Sequence, residues 1–122
     1  MDIFCKIVSG EIPSYTIYED EIVKVFLDAN PTSVGHCLVI PKHHYTDIYD
    51  IDNDTLLYIF NIAKDVSKVI MDRLGCDGIS FCQNNGIAQE VKHFHLHVIP
   101  KYSKSKKMSN EDVYNELTKE TD

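Results

Sequence analysis

Three histidines alternate with apolar residues in one segment, and this alternation constrains the fold more than any other feature of the 122-residue chain. The segment reads His93-Phe94-His95-Leu96-His97-Val98-Ile99. Its period of two is that of a β-strand and not of a helix. In a strand the three histidines would share one face, and the apolar residues between them would share the other. We therefore predict a strand over 93–101 with one buried apolar face and one face that carries three imidazoles.

The remaining patterns predict an α+β fold, in which one long helix packs across an antiparallel five-stranded sheet. The helix is predicted over 54–74, with Asn53 or Asp54 as its N-terminal cap and Gly75 after its end. Its core face recurs at helical spacing and comprises Leu56, Ile59, Phe60, Ala63, Val66 and Ile70. Four further strands are predicted at 15–18, 22–27, 37–40 and 79–83, and short helices at 3–8 and 111–119.

Composition and charge limit the class of protein. The chain has 43% hydrophobic and 25% charged residues, and its length fits a single domain over 1–122, in which 101–122 form a polar loop and a short C-terminal segment. A net charge of −7 disfavours nucleic acid as a partner. The N-terminus lacks a leader pattern and no stretch predicts a membrane span, so we expect no membrane partner, a cytoplasmic location and reduced thiols.

Three aligned imidazoles permit three interpretations. Histidines two residues apart on a strand can chelate Zn²⁺. A neutral imidazole can instead attack phosphorus and form a covalent phosphoramidate, provided that an acceptor such as a backbone carbonyl holds its second nitrogen. In the third interpretation the histidines are merely exposed on the surface of a sheet. Spacing alone does not separate the metal site from the nucleophile.

The wider pattern resembles the histidine triad (HIT) family. Residues 93–99 match its His-φ-His-φ-His-φ-φ signature, in which φ is an apolar residue. Four further segments resemble family motifs in the same order along the chain, namely 3–13, 26–31, 35–44 and 84–86. The resemblance implies the α+β fold of that family and a homodimer in which the sheet is extended by a second copy.

The resemblance also implies the chemistry. His95 would be the nucleophile that attacks the α-phosphorus of a nucleotide, and His93 would orient it through its backbone carbonyl. His97 would contact the phosphate, and His44 would lie close to the triad. Hydrolysis of the covalent nucleotidyl-histidine would release the nucleoside monophosphate, and no metal would be required for the reaction.

A purine nucleotide such as AMP or GMP would occupy the binding pocket that the resemblance implies. Asp28 would accept both ribose hydroxyls, although it is also suited to a turn before Asn30-Pro31. The other implied pocket residues supply apolar walls for the base and polar contacts to the ribose, the phosphate or the leaving group. They are Ile3, Phe4, Ile7, Phe26, Ala29, Asn84 and Gln89, together with His97.

Two departures from the family pattern lie just before the triad. The loop between Gly86 and Gln89 is shorter than in many members of the family. Glu90 stands where some members have Ser or Thr, and an ionised carboxylate there would repel an anionic leaving group.

A third departure concerns metal binding. Zinc-binding members of the family begin with Cys-x-x-Cys, whereas here Asp2 precedes Cys5. A zinc site formed by Asp2, Cys5, His44 and His93 is therefore an alternative, and we expect Cys5 to be a small buried hydrophobe instead.

Two hypotheses of function follow. The first is a hydrolase or nucleotidyl transferase that cleaves a purine nucleoside 5′-phosphoramidate or a dinucleoside polyphosphate at the α-phosphorus. The second is a purine-nucleotide-binding regulatory module with little turnover, which the short loop and Glu90 favour.

Overall fold

The computed structural model describes residues 1–120 and contains an antiparallel five-stranded sheet. The strands are β1 (Thr16–Glu19), β2 (Val23–Leu27), β3 (Cys37–Pro41), β4 (Gly78–Gln83) and β5 (Leu96–Lys101), and their order across the sheet is β1-β2-β3-β5-β4. The helices are α1 (Ile3–Ser9), α2 (Asn53–Leu74) and α3 (Asn110–Thr118). The predicted fold class is confirmed.

The main core lies between α2 and one face of the sheet. Ile59, Ala63 and Ile70 of α2 are fully buried there, against strand residues that include Leu96 and Val98. Burial of each large aliphatic side chain contributes about 1.5–3 kcal/mol, which makes this layer the main source of stability. The prediction that Phe60 belongs to the core is wrong, because its side chain is 40% exposed.

The start of α2 also differs from the prediction. Asp52 is the N-terminal cap, and its Oδ2 accepts a hydrogen bond from the backbone N–H of Thr55 at 3.0 Å. Asn53 and Asp54, which we expected to cap the helix, lie inside its first turn. Gly75 ends the helix as predicted, at a φ of 70° that favours glycine.

The strand predicted over 93–101 begins only at Leu96. The ladders that pair β5 with its neighbours end at Leu96, which lies opposite Val39 of β3 and Gln83 of β4. Before that point the backbone N–H of Phe94 donates to the carbonyl of Tyr45 in a loop, at 2.7 Å. His93 and His95 therefore lie in the irregular segment that leads into β5, and only His97 lies within the strand.

A second apolar cluster covers the opposite face of the sheet. Phe26, Leu38 and Ile40 point to this face and pack against Phe4 and Ile7 of α1. A further contact holds the helix in place, because the buried Lys24 donates from Nζ to the carbonyl of Ile7 at 2.9 Å. The short helix thereby forms one wall of a site on this face.

Among residues 1–120, no helix combines the length and the hydrophobicity needed to cross a bilayer.

Candidate active site

A cavity of about 710 Å³ opens on the α1 face of the sheet. It is lined by eight of the residues that the sequence assigned to a nucleotide site, namely Ile3, Phe4, Ile7, Phe26, Asp28, Ala29, His95 and His97. Its volume is in the range of small-molecule sites. The structure thus brings together residues that lie more than ninety positions apart in the chain.

The apolar part of the cavity is built by α1 and the sheet. The rings of Phe4 and Phe26 meet edge to face, with centroids 5.7 Å apart. Phe4 also meets His95 edge to face at 4.9 Å, so the apolar wall continues directly to the triad. A flat aromatic ligand can insert between these apolar side chains. Because this part of the cavity offers few polar groups, it would discriminate little between one nucleobase and another.

His95 has one nitrogen committed to the protein and one that is available. Its Nδ1 lies 2.7 Å from the carbonyl oxygen of His93, which can only accept a hydrogen bond. The proton of the neutral ring is therefore on Nδ1, and Nε2 carries a lone pair. The side chain is 5% exposed, yet it lines the cavity. Its access to solutes is thus through the cavity alone.

The residue that orients His97 was missed by sequence reasoning. His36 Nδ1 accepts a hydrogen bond from the backbone N–H of Thr32 at 3.1 Å, so the His36 proton is on Nε2. His36 Nε2 lies 2.9 Å from His97 Nδ1 and donates to it. The His97 proton is then on Nε2, which makes His97 a hydrogen-bond donor at its free nitrogen. Phosphate oxygens require such a donor.

Both members of this histidine pair are neutral near pH 7. Burial lowers the pKa of His97 to about 4, and the neighbouring His95 and His36 add to that effect. Burial also lowers the pKa of His36, against the attraction of Asp28. The Asp28 Oδ2 lies 3.6 Å from His36 Nε2.

Asp28 forms the predicted turn interaction and also lines the cavity. Its Oδ1 accepts a hydrogen bond from the backbone N–H of Asn30 at 2.8 Å, which is the turn interaction. The same side chain lines the cavity beside the histidines. A carboxylate at this position can accept hydrogen bonds from sugar hydroxyls.

Two predicted contact residues lie outside the cavity lining. The side chain of Gln89 is buried and bonded to the protein, because its Oε1 accepts from the N–H of Gly86 and its Nε2 donates to the carbonyl of Thr46. Asn84 is half-buried, and its Oδ1 accepts a weak hydrogen bond from Cys82 Sγ. Instead, the short loop brings the exposed Glu90 into the lining, together with Val91.

A cluster of four side chains that could hold a metal ion includes the first histidine of the triad. Asp2, Cys5, His44 and His93 each offer one atom, and these atoms lie within 4.8 Å of one another. The Asp2 Oδ2 is 3.0 Å from His44 Nδ1 and 3.3 Å from His93 Nδ1. The Cys5 Sγ is 3.6 Å and 3.5 Å from the same two nitrogens. Donors on a tetrahedral zinc ion are separated by about 3.3–3.7 Å. Three of the four distances lie in this range and the Asp2–His44 distance is slightly shorter, so the cluster could hold such an ion after a small shift.

Two details of this cluster support a ligand role for its donors. His93 Nε2 lies 2.9 Å from the carbonyl of Pro41 and donates to it, which leaves a lone pair on the Nδ1 that faces the cluster. Within residues 1–120, the buried Asp2 Oδ2 has no polar contact other than with donor atoms of this cluster. Burial raises the pKa of Asp2, but the opposing effects of the Cys5 N–H and the two histidines are larger in sum. The net shift of this pKa is therefore downward. Cys5 is half-buried with its thiol in the cluster, which differs from the expected buried hydrophobe.

Comparisons with known proteins give consistent matches. Residues 9–104 match the family model of the HIT domain. An uncharacterised HIT-like protein of Methanocaldococcus jannaschii is 47% identical over 106 residues, which cover 84% of this chain and 80% of that protein. The adenosine 5′-monophosphoramidase HNT1 of Saccharomyces cerevisiae is 45% identical over 101 residues, which cover 81% of this chain and 61% of that protein.

Solved structures agree with these matches. The crystal structure of a zinc-bound histidine triad family protein from Mycobacterium smegmatis superposes with a TM-score of 0.89 at 35% identity. The superposition covers 95% of this chain and 89% of that chain.

Proposed function

This chain belongs to the HIT domain family, and we propose that it is a nucleotide hydrolase that cleaves purine nucleoside 5′-phosphoramidates through a covalent intermediate on His95. The observation that carries the proposal is the contact of His95 Nδ1 with the His93 carbonyl, which leaves Nε2 free of a protein partner in a cavity with apolar walls. The relatives named as adenosine 5′-monophosphoramidases support a hydrolase of nucleotides.

The nucleotide would bind with its base between the apolar walls and its phosphate at the histidines. Phe4, Ile7 and Phe26 would contact the base, and Asp28 would accept hydrogen bonds from the ribose. The α-phosphate would then lie against His95 and His97. Binding in this orientation converts attack on phosphorus into an intramolecular step.

In the first half-reaction, His95 Nε2 attacks the α-phosphorus and the phosphorus–nitrogen bond to the leaving amine breaks. The departing nitrogen takes up one proton from solvent and leaves as an amine. His97 donates from Nε2 to a non-bridging oxygen and stabilises the negative charge that develops there. The carbonyl of His93 stabilises the positive charge on the His95 ring, because it accepts from Nδ1.

In the second half-reaction, water attacks the same phosphorus atom and the bond to His95 Nε2 breaks. The water loses one proton to solvent, which balances the proton that the amine took up. His95 returns to its neutral form, and the nucleoside monophosphate is released.

Adenosine 5′-phosphoramidate tests the proposal directly. We expect the wild-type protein to release AMP, and His95→Ala to lose at least a hundredfold in kcat because no nucleophile remains. His43→Ala is the matched control, since His43 is exposed and does not line the cavity. A phosphorus NMR signal for phosphate bonded to His95 would identify the intermediate. Tight AMP binding with negligible turnover, unchanged in His95→Ala, would favour a binding module instead.

The four-donor cluster supports a second proposal, that the chain binds a structural zinc ion. Asp2, Cys5, His44 and His93 would hold the ion, with Asp2 at the position of the first cysteine of other zinc-binding members. A structural zinc ion cross-links its ligands and contributes free energy to folding. Here it would join α1 to the segment before β5 and hold the His93 carbonyl that orients His95.

Metal content and thermal stability test the zinc proposal without an activity assay. We expect about one zinc ion per chain in protein purified with no histidine tag, and a lower Tm after chelation. Cys5→Ser should lose the metal, whereas Cys82→Ser, a half-buried thiol outside the cluster, should retain it. Substoichiometric zinc in the wild type, with a Tm unaffected by chelator, would contradict the proposal.

A further inference from the structure

The fixed side-chain charges on the described lining of the cavity are negative. Among the described residues that line it, the side chains of fixed charge are Asp28 and Glu90, and neither Lys nor Arg is present. The single arginine of the chain, Arg73, is bound to carbonyl groups at the end of α3. The phosphate of the substrate would thus be held by neutral histidines, in surroundings that are otherwise negative.

Glu90 lines the same cavity as His95 and His97, and its side chain is exposed. In the proposed binding mode the nucleoside would extend from the apolar wall past Asp28 to the triad, and the leaving group on the phosphorus would share the cavity with Glu90. Within residues 1–120, no Lys, Arg or His nitrogen lies within 4 Å of its carboxylate. The nearby Lys92 donates from Nζ to the carbonyl of Gly86.

We infer that Glu90 is a specificity-determining residue, which selects phosphoramidates whose leaving amine carries an additional positive charge. The inference rests on the proposed phosphoramidate hydrolysis and narrows its substrate class. An ammonium group on the leaving amine would meet an unpaired carboxylate, whereas a carboxylate or a polyphosphate would meet repulsion with no lysine or arginine to offset it. The same charges disfavour dinucleoside polyphosphates, whose leaving group is a nucleotide of several negative charges.

The experiment uses three adenosine 5′-phosphoramidates that differ in the leaving amine. The amines are 1,3-diaminopropane with a cationic end, butylamine with a neutral end and β-alanine with an anionic end. For the wild-type protein we expect kcat/KM for the cationic substrate to exceed that for the anionic one by at least about tenfold, as expected for unit charges near a protein surface. This ratio should fall towards one at 1 M salt, because exposed charges are screened.

Glu90→Gln should reduce the cationic-to-anionic ratio by about tenfold, and Glu90→Ser should do the same if the glutamine variant folds poorly. Glu21→Gln is the matched control, since it removes an equal charge from an exposed turn outside the cavity and should leave the ratio unchanged. AMP release with a ratio that is the same in wild type and Glu90→Gln would overturn the inference and leave the proposed function intact. If none of the three substrates releases AMP, both the inference about Glu90 and the proposed function are overturned.

Discussion

At the scale of single residues, each histidine of the triad has one ring nitrogen committed to a partner in the protein. His93 donates to Pro41, His95 donates to His93, and His97 accepts from His36. The free nitrogens consequently differ in chemistry. His93 presents a lone pair to the four-donor cluster, His95 presents a lone pair to the cavity, and His97 presents an N–H. Three identical side chains thereby differ in what their free nitrogens can accept or donate.

The most specific test of this division is at His36. His36→Asn retains an acceptor near Nδ1 for the Thr32 N–H but removes the donor to His97, so His97 is no longer held with its proton on Nε2. We expect kcat to fall about ten- to a hundredfold while KM changes by less than about threefold, because the affected hydrogen bond strengthens in the transition state. Steady-state kinetics on adenosine 5′-phosphoramidate would measure both constants.

Two further variants distinguish positioning from a general loss of structure. His36→Gln places an amide N–H near the position of Nε2 and should recover part of kcat. His43→Asn, at an exposed histidine, should behave as wild type. Equal losses in kcat for His36→Asn and His36→Gln, together with a lower Tm, would mean that His36 only fills space.

The sequence predicted much of this site and missed the part that depends on strand pairing. The alternation over 93–99 identified the three histidines, and the expected carbonyl partner of His95 is present. His36 was quoted within a family motif but received no role. Its partnership with His97 requires that β3 pair with β5, with Leu38 opposite His97. Because side chains alternate along a strand, His36 then shares the face of Leu38 and reaches His97. Periodicity does not reveal which strands are neighbours.

At the scale of secondary structure elements, the predictions fail where tertiary contacts override local pattern. The alternation of polar and apolar residues includes His93 and Phe94, but the hydrogen-bonded pairing of β5 does not. Neither β3 nor β4 pairs with a residue that precedes Leu96 in this segment. The helical spacing of α2 is correct, yet Phe60 lies at the edge of the buried stripe and remains exposed. Asp52 caps α2 and at the same time accepts from the Tyr45 hydroxyl, a contact with the preceding loop. Local sequence ranks candidate caps, but such a contact selects among them.

The contact between Asp20, in the turn between β1 and β2, and Tyr58 of α2 should make the free energy of unfolding depend on pH. Burial would raise the pKa of Asp20, but hydrogen bonds from Tyr58, the Val23 N–H and Tyr18 outweigh it and lower the pKa from 3.8 to about 2. A carboxyl group with a depressed pKa in the folded state stabilises the protein above its unfolded pKa. This contribution is therefore complete above about pH 4 and is lost as the pH falls through 2.

Tyr58→Phe isolates this effect because it removes the hydroxyl that bonds to Asp20 and keeps the ring. We expect the free energy of unfolding at pH 7 to fall by about 1.5–3 kcal/mol, as for a hydrogen bond to a charged group. Urea titrations at pH 7 and pH 3 should show that the difference between variant and wild type shrinks at the lower pH. Tyr49→Phe, at a side chain that is 85% exposed, is the control. A difference that grows at pH 3 would have the wrong sign for this mechanism.

At the scale of the whole molecule, the two edges of the sheet are not equivalent. The β1 edge is a strand of four residues in contact with α3. The β4 edge is a strand of six residues that carries Phe81 with 45% of its surface exposed. Phe81 pairs with Val98 and so points to the face that α2 covers, where Leu57 and Phe60 are exposed as well. Unpaired strand edges beside apolar surface favour association.

These features support the prediction that the chain forms a homodimer through β4 and the outer surface of α2. Sedimentation at micromolar concentration should then give a mass near twice 14.0 kDa. Phe81→Lys should shift the equilibrium towards monomer, because a charge at the centre of an apolar interface is costly to desolvate. Ile22→Lys is the matched control, since Ile22 is 44% exposed in the turn between β1 and β2, at the other edge of the sheet. If Ile22→Lys dissociates the dimer and Phe81→Lys does not, the second copy binds at the β1 edge. A wild-type chain that remains monomeric up to millimolar concentration would contradict the dimer altogether.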